Sequence, residues 1–220
     1  MAYRRTANVL RRLNARHDAI VDAARDAASA GGMAAIQIAP VAERAGVAAG
    51  TVYRYFPGKV ELVGALVESV AEREIEAVRK AADAAPGPLS AVAAAVATFG
   101  ARALRNRKLA WAVIAEPVDT DTDAVRQQYR RDLSAEIETR IRAAIAGGHL
   151  PDQDASLAAS ALVGALLEGL IGPLAPGGMD DPARSRQAVQ TLTLFALRGL
   201  GVIDARARGL VVQTALPDET

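Results

Sequence analysis

Six apolar side chains spaced four residues apart, Val125, Tyr129, Leu133, Ile137, Ile141 and Ile145, constrain this chain more than any other feature. That spacing lines one face of an α-helix, and Gly147-Gly148 then stops it by tolerating the left-handed conformation. A long amphipathic helix is therefore expected in the middle of the chain. The remainder extends this reading, because 50 of the 220 residues are alanine, the best helix former, while aromatic residues are only 4%. The expected fold class is all-α. Cysteine is absent and the two histidines, His17 and His149, lie far apart, so disulfide scaffolds, thiol chemistry, metal centres and cofactors are not expected. The first twenty residues carry Arg4, Arg5, Arg11, Arg12 and Arg16 without a long apolar run and do not read as a secretory signal. The uncharged stretch Leu157 to Leu167 is too short to span a bilayer. A cytoplasmic protein without a membrane partner is expected.

Glycine and proline divide the chain into about nine helical segments. The first runs from Arg16 to Ala30, before Gly31-Gly32. Two short ones, Pro40 to Ala45 and Ala49 to Phe56, meet near Gly46. A fourth starts at Lys59 and continues along Val60, Leu62, Val63, Leu66, Val67, Val70, Ile75 and Val78 until Pro86-Gly87-Pro88. Leu89 to Leu104 forms the fifth and Leu109 to Ala115 the sixth. The long seventh follows Asp119, Asp121 and Asp123, which read as capping residues. The eighth opens at Pro151 and closes at Gly172-Pro173, mixing leucines with small residues that permit close helix approach, and the ninth starts at Pro182. From Asp204 onward the pattern is ambiguous, and Pro217 to Thr220 reads as a frayed end.

Near-neutral net charge hides an asymmetry. Residues 1–60 hold nine Lys or Arg against four Asp or Glu, and the rest of the chain is mildly acidic. Such a division suits a nucleic-acid module joined to a separate partner domain. The stretch Pro40 to Phe56 carries the chemistry: Ala42, Gly46, Val47 and Val52 supply the small residue, turn glycine and apolar plugs that two crossing helices need. The second of these helices would present Ala49, Gly50, Thr51, Tyr53, Arg54 and Tyr55, combining close approach, hydroxyl donors and an arginine. Phe56 reads as core. Lys59 begins the next helix, where its ammonium and the free first-turn amides would both hold a phosphate. Arg11 and Arg12 belong to a basic segment that reads either as a DNA-reaching arm or as solubilising charge.

The order Ala-Gly-Val, then Gly-Thr-Val-Tyr-Arg-Tyr-Phe, then Lys59 and Leu62 resembles the DNA-binding domain of the TetR family of transcriptional regulators, over about residues 16–66. The resemblance implies a three-helix DNA-binding head, a larger helical domain that binds a small-molecule effector, and a homodimer held by the eighth and ninth helices as a four-helix bundle. It implies that Thr51, Tyr53 and Tyr55 contact DNA and that Lys59 contacts phosphate. The sequence departs from the family pattern at two cap positions inside the DNA-binding set, where Gln37 and Ala48 replace the usual Ser or Thr. Each missing side-chain cap costs about 0.5–2 kcal/mol. The expected division is a basic arm over 1–15, a DNA-binding domain over 16–60, a ligand-binding and dimerisation domain over 61–203, and a tail over 204–220.

Within the second domain, Phe99, Trp111, Ile114, Glu116, Tyr129, Leu133 and Leu166 are the candidate pocket residues, each also readable as core or, for Glu116, as a solvated helix end. Leu162, Ala165, Gly169, Leu192 and Phe195 are the candidate dimer contacts. Glu168 would pair across the dimer seam with an arginine such as Arg198, or point to solvent. His149 reads as a loop residue. No nucleophile elbow, phosphate loop, dinucleotide fingerprint or metal-spaced histidine pair occurs, so catalytic residues are not expected. The reading is a homodimeric repressor on a palindromic double-stranded operator, released by a small apolar or aromatic ligand. The alternatives are a ligand-insensitive or activating DNA-binding regulator and, in another class, a helical protein-interaction module.

Overall fold

A computed structural model describes residues 2–216, with side chains from residue 9 onward. Among the described residues there are ten α-helices, one 3-10 turn at Met33–Ala35, and no strand. The expected all-α class holds, with one helix more than the sequence pattern suggests. The head comprises α1 (Ala2–Gly31), α2 (Ile38–Arg44) and α3 (Ala49–Tyr55), and α4 (Lys59–Asp83) follows at once. The body continues with α5 (Pro88–Arg105), α6 (Arg107–Ile114), α7 (Thr120–Ala146), α8 (Ala155–Leu170), α9 (Pro182–Gly199) and α10 (Asp204–Gln213).

Two boundaries correct the sequence reading. Helix α1 starts at Ala2 rather than Arg16, so the stretch expected as a separate arm is helical backbone continuous with the head. Neither glycine nor proline occurs between Ala2 and Ala30, and alanine, arginine and leucine dominate the stretch, so nothing local ends the helix. The tail from Asp204 likewise forms α10. Its Ala207 is buried, and Asp204 accepts hydrogen bonds from both Arg198 of α9 and Arg208. Pro217 to Thr220 lie outside the described residues.

Helix α4 carries the architecture. Its face Leu62, Val63, Leu66 and Val67 is buried with Ile20, Val21 and Ala24 of α1, while Val70, Ile75 and Val78 continue the same stripe into the body. It packs most extensively on α5 and α7. The expected row on α7 is observed: Tyr129, Leu133, Ile137 and Ile141 are buried, and Val125 and Ile145 are half-buried at its ends. Asp119 caps α7, its carboxylate accepting from the Thr122 amide at 2.9 Å and from the Thr122 hydroxyl at 2.8 Å. These bonds hold the Asp119 carboxyl below the usual carboxylate range. Helix α8 starts at Ala155, later than Pro151, because Asp154 accepts from the amides of Ser156 and Leu157 and so sets the first turn.

Candidate nucleic-acid interface and effector cavity

In the head, Val41 and Ala42 of α2 and Val52 and Phe56 of the α3 segment are buried with Ile20, Ala24 and Ala28 of α1. The turn between α2 and α3 closes through the Val47 amide donating to the Ala42 carbonyl at 2.9 Å. Gly46 sits there at φ 67°, a left-handed conformation costly for any side chain. A Cβ at Gly46 would meet nothing within 4 Å, so backbone angle alone demands the glycine. Neither Gln37 nor Ala48 provides a side-chain cap, as the sequence predicts; the Gln37 amide instead donates to the Ala34 carbonyl.

With its buried side fixed, α3 turns Ala49, Gly50, Tyr53 and Arg54 to the surface, with Ala48 exposed at its start. Tyr53 is 54% exposed, an unusual position for a large aromatic ring that the core does not use. Thr51 and Tyr55 are half-buried at the edges of this face. Lys59 is exposed in the first turn of α4, and Arg11 and Arg12 are exposed on α1. Two neighbours escaped the sequence reading. His17 of α1 stacks on Phe56 at 5.1 Å and meets Tyr55 edge-on at 6.3 Å, fixing the lower flank of the α3 face. Glu61 shares the first turn of α4 with Lys59.

The body contains an interior cavity of about 60 Å³ between α4, α5, α6 and α7. Phe99, Ile114 and Tyr129 line it, as expected. Leu133 does not; it borders an adjoining tight void with Val113 and Leu167. Leu166 is buried but lines neither space, since helix period directs it elsewhere in the core. Trp111 is half-buried on α6 and also lines neither. The residues missed are Glu74 and Arg102, whose carboxylate and guanidinium meet through two bonds of 2.6 and 2.8 Å at the cavity wall. Their signal was present: Glu74 follows Val70 by four and Arg102 follows Phe99 by three, so each shares a buried stripe. Glu74 raises the Arg102 pKa, chiefly through the hydrogen bond, and burial pushes the Tyr129 hydroxyl up.

Glu116 is half-buried just beyond α6 and lines neither of these two spaces. Its carboxylate accepts from the Met33 amide at 2.9 Å, lying over Gly32 at φ 72°, where an added Cβ would approach the carboxylate to 2.7 Å. At the other end of α6, Asn106 donates to the Ser29 hydroxyl at 2.8 Å while its own carbonyl caps the helix at Leu109. Helix α6 therefore grips the end of α1 from both of its termini. The buried Arg126 of α7 donates to the carbonyls of Ala112 and Glu116, and Arg130 donates to that of Ile114 at 3.0 Å.

On the outer side of α8 and α9, Leu157 is 68% and Phe195 57% exposed, and Ala161 and Gly164 continue the α8 stripe. Leu162 is corrected: it is 7% exposed because it shares the buried stripe of Ala159, Val163 and Leu166. Ala165 and Leu192 are half-buried, and Gly169 provides room for Leu192 within the protomer, an added Cβ meeting it at 3.5 Å. Within the protomer Arg198 pairs with Asp204, and Glu168 is exposed.

Residues 20–66 match the sequence profile of the tetR family of bacterial regulatory proteins. Over these residues the chain is similar to regulators of the TetR family. It is 49% identical over 72 residues to the transcriptional repressor KstR of Rhodococcus jostii, covering 33% of this chain and 32% of that one. It is 56% identical over 48 residues to KstR of Mycolicibacterium smegmatis, covering 22% and 24%. The matched region thus spans about a third or less of the length of these relatives, which are transcriptional repressors. The fold match is broader. FadR of Bacillus halodurans, a fatty acid degradation regulator, superposes with a TM-score of 0.72 at 21% identity, covering 86% of this chain and 97% of that one. RolR bound to resorcinol gives 0.69 at 20%, covering 96% and 100%. FadR of Bacillus subtilis in complex with stearoyl-CoA gives 0.66 at 18%, covering 85% and 99%. Among the described residues no helix is long and apolar enough to cross a membrane.

Proposed function

We propose that this chain is a cytoplasmic homodimeric repressor of the TetR type that leaves its palindromic operator when a small, largely apolar ligand enters the body. The observation that carries the reading is the outward face of α3, where Tyr53 and Arg54 stand beside Ala49 and Gly50 on a helix pinned by its opposite side. Tyr53, Thr51, Tyr55 and Arg54 contact the major groove, and Ala48, Ala49 and Gly50 let the backbone approach it. Lys59, Gln37 and the α1 arginines Arg11 and Arg12 hold phosphates. The exposed apolar stripe of Leu157, Ala161, Gly164 and Phe195 supports dimerisation through α8 and α9, with Ala165 and Leu192 at its edge. Two heads must then stand about 34–36 Å apart, one turn of DNA, to occupy successive grooves.

The ligand is held between Phe99, Ile114 and Tyr129. Release follows because α6 forms one cavity wall and also grips the end of α1, so a body state with α6 displaced is one with the head misplaced. The ligand shifts the equilibrium only by its differential affinity for those two states. The test is fluorescence anisotropy on the gene's own upstream DNA and a scrambled duplex, across a salt titration. Specific binding should weaken with salt, and Tyr53→Ala should lower operator affinity by about 1–3 kcal/mol. Equal binding to both duplexes, unaffected by the substitution, would remove sequence reading from the head.

A further inference from the structure

The interior cavity does not end at its apolar wall. Between α1, α4, α5 and α6 it adjoins an open vestibule of about 190 Å³, and Val70, Glu74, Arg102, Asn106 and Leu109 line both spaces. The Glu74–Arg102 pair, with side chains 21% and 29% exposed, is therefore the partition between them. The vestibule carries more guanidinium than carboxylate groups. Among the described residues Arg25, Arg73, Arg102 and Arg105 line it against one lining carboxylate, Glu74. The guanidinium groups of Arg25 and Arg73 both lean on a single oxygen of Asp22, at 3.3 and 3.0 Å. The lining guanidinium groups come from three helices, and Arg25, Arg73 and Arg102 already hold carboxylates of the chain itself, the chemistry by which a forked donor recognises a carboxylate or phosphate.

The two halves differ in chemistry as well as position. On the inner side α6 contributes Leu109, Ala110, Val113 and Ile114 opposite Phe99, a surface suited to hydrocarbon or a ring. At about 60 Å³ it admits such a group only if α6 yields. On the outer side the vestibule touches α1 directly through Arg25, and the Arg73–Asp22 ion pair ties α4 to α1. An anion there competes with Asp22 for Arg73 and Arg25 and with Glu74 for Arg102. Both halves of one ligand thus act on contacts that hold the head.

We propose that the effector is an amphiphilic acid, its apolar body in the interior cavity and its carboxylate or phosphate on Arg102, ringed by Arg25, Arg73 and Arg105. This rests on the effector reading above and adds the ligand's chemical class. Glu74 is then the internal competitor that keeps the receptor closed when no ligand is bound. Neutral compounds of the same shape lack the group that displaces it.

The experiment is isothermal titration calorimetry of the full chain with octanoate and with 1-octanol, a neutral probe of equal chain length. Wild type should bind octanoate about tenfold more tightly than octanol, the scale of one charge-assisted contact. Glu74→Gln, nearly isosteric, should tighten octanoate further and leave octanol unchanged, a gain that misfolding cannot imitate. Arg102→Gln should bring the two ligands to parity, with its melting curve recorded alongside. Parity in wild type, no gain from Glu74→Gln, or no binding of either probe would overturn the proposal. Operator DNA followed in the same titrations separates the two readings. Preferential octanoate binding that leaves DNA bound supports the acid receptor and ends the release reading; DNA release by octanol as strongly as by octanoate does the reverse.

Discussion

The α2–α3 pair and the interior cavity differ first in how far apart their parts lie along the chain. From Gln37 to Lys59 the residues proposed to face DNA occupy one short stretch, and their placement follows from two short helices, one turn glycine and a few buried plugs. The cavity instead takes Val70 from α4, Phe99 from α5, Ile114 from α6 and Tyr129 from α7. The first surface works by exposing what the core does not need; the second by leaving space that the core fails to fill. A change in one is therefore expected to alter recognition with little effect on stability, and a change in the other to do the opposite. Tyr53→Ala tests the first half of that contrast when its melting temperature is recorded with its operator affinity.

The largest expected effect tests the second half. Phe99 is 1% exposed and borders a space already unfilled, so Phe99→Ala removes a full ring where neighbours have little material to collapse with. It should cost about 3–5 kcal/mol, a fall of roughly ten degrees in melting temperature for a chain of this size. Below its melting transition the variant should keep wild-type operator affinity, since no α3 contact is touched. If the fold is retained and operator affinity falls as far as in Tyr53→Ala, head and body are one unit and the contrast fails.

A smaller effect is expected where the two regions meet. Glu116→Ala leaves the Met33 amide without its acceptor, which costs about 1–3 kcal/mol if water does not replace it. The specific signature is in coupling. Operator affinity should fall a few-fold, because the head then pays its own ordering entropy on DNA, and the ligand should shift that affinity less than in wild type. Glu116→Gln, which retains an acceptor oxygen, should restore most of both. Anisotropy with and without octanoate reads this directly, and unchanged ligand response in Glu116→Ala would show that α6 does not carry the signal through this bond.

The same contrast explains what the sequence makes legible. The helix-turn-helix is written in local residues, so the turn at Gly46 and the burial of Val52 are legible in the sequence. On α7, the row from Tyr129 to Ile141 announced burial just as clearly. What spacing cannot express is which buried row meets which. Leu133 and Tyr129 share a stripe and both face α6, yet only Tyr129 lines the cavity that Phe99 and Arg102 of α5 also line. Glu116 looked like a helix end facing a ligand, but a contact with Met33, 83 residues away, decides its role. Leu162 failed as a dimer contact for the converse reason: the stripes of α8 are separable by period, but the outward one is revealed only when α7 and α9 cover the other. Before Arg16 the chain is helical because alanine, arginine and leucine favour a helix and nothing local breaks it, which charge alone does not reveal.

The smallest expected effect lies away from both sites and checks that local capping remains local. Asp119 caps α7 through the Thr122 amide and hydroxyl, and those bonds lower its pKa in the folded protein. A carboxyl with a depressed folded pKa contributes stability that is present above its unfolded value and lost as pH falls through the folded one. Asp119→Asn retains a good cap but not the charge, so at neutral pH it should lower the melting temperature only slightly, by the loss of one charge at a helix N-terminus. Because the asparagine does not titrate, wild type loses this increment on acidification and the variant does not. Melting curves recorded from about pH 7 down to about pH 3 should therefore converge, with most of the change below about pH 5. A gap that stayed constant over that range would mean that the carboxylate charge contributes nothing at this cap. Operator affinity should be unchanged at neutral pH, and a measurable loss would mean that the start of α7 communicates with the head, extending the coupled region beyond the α6 contacts.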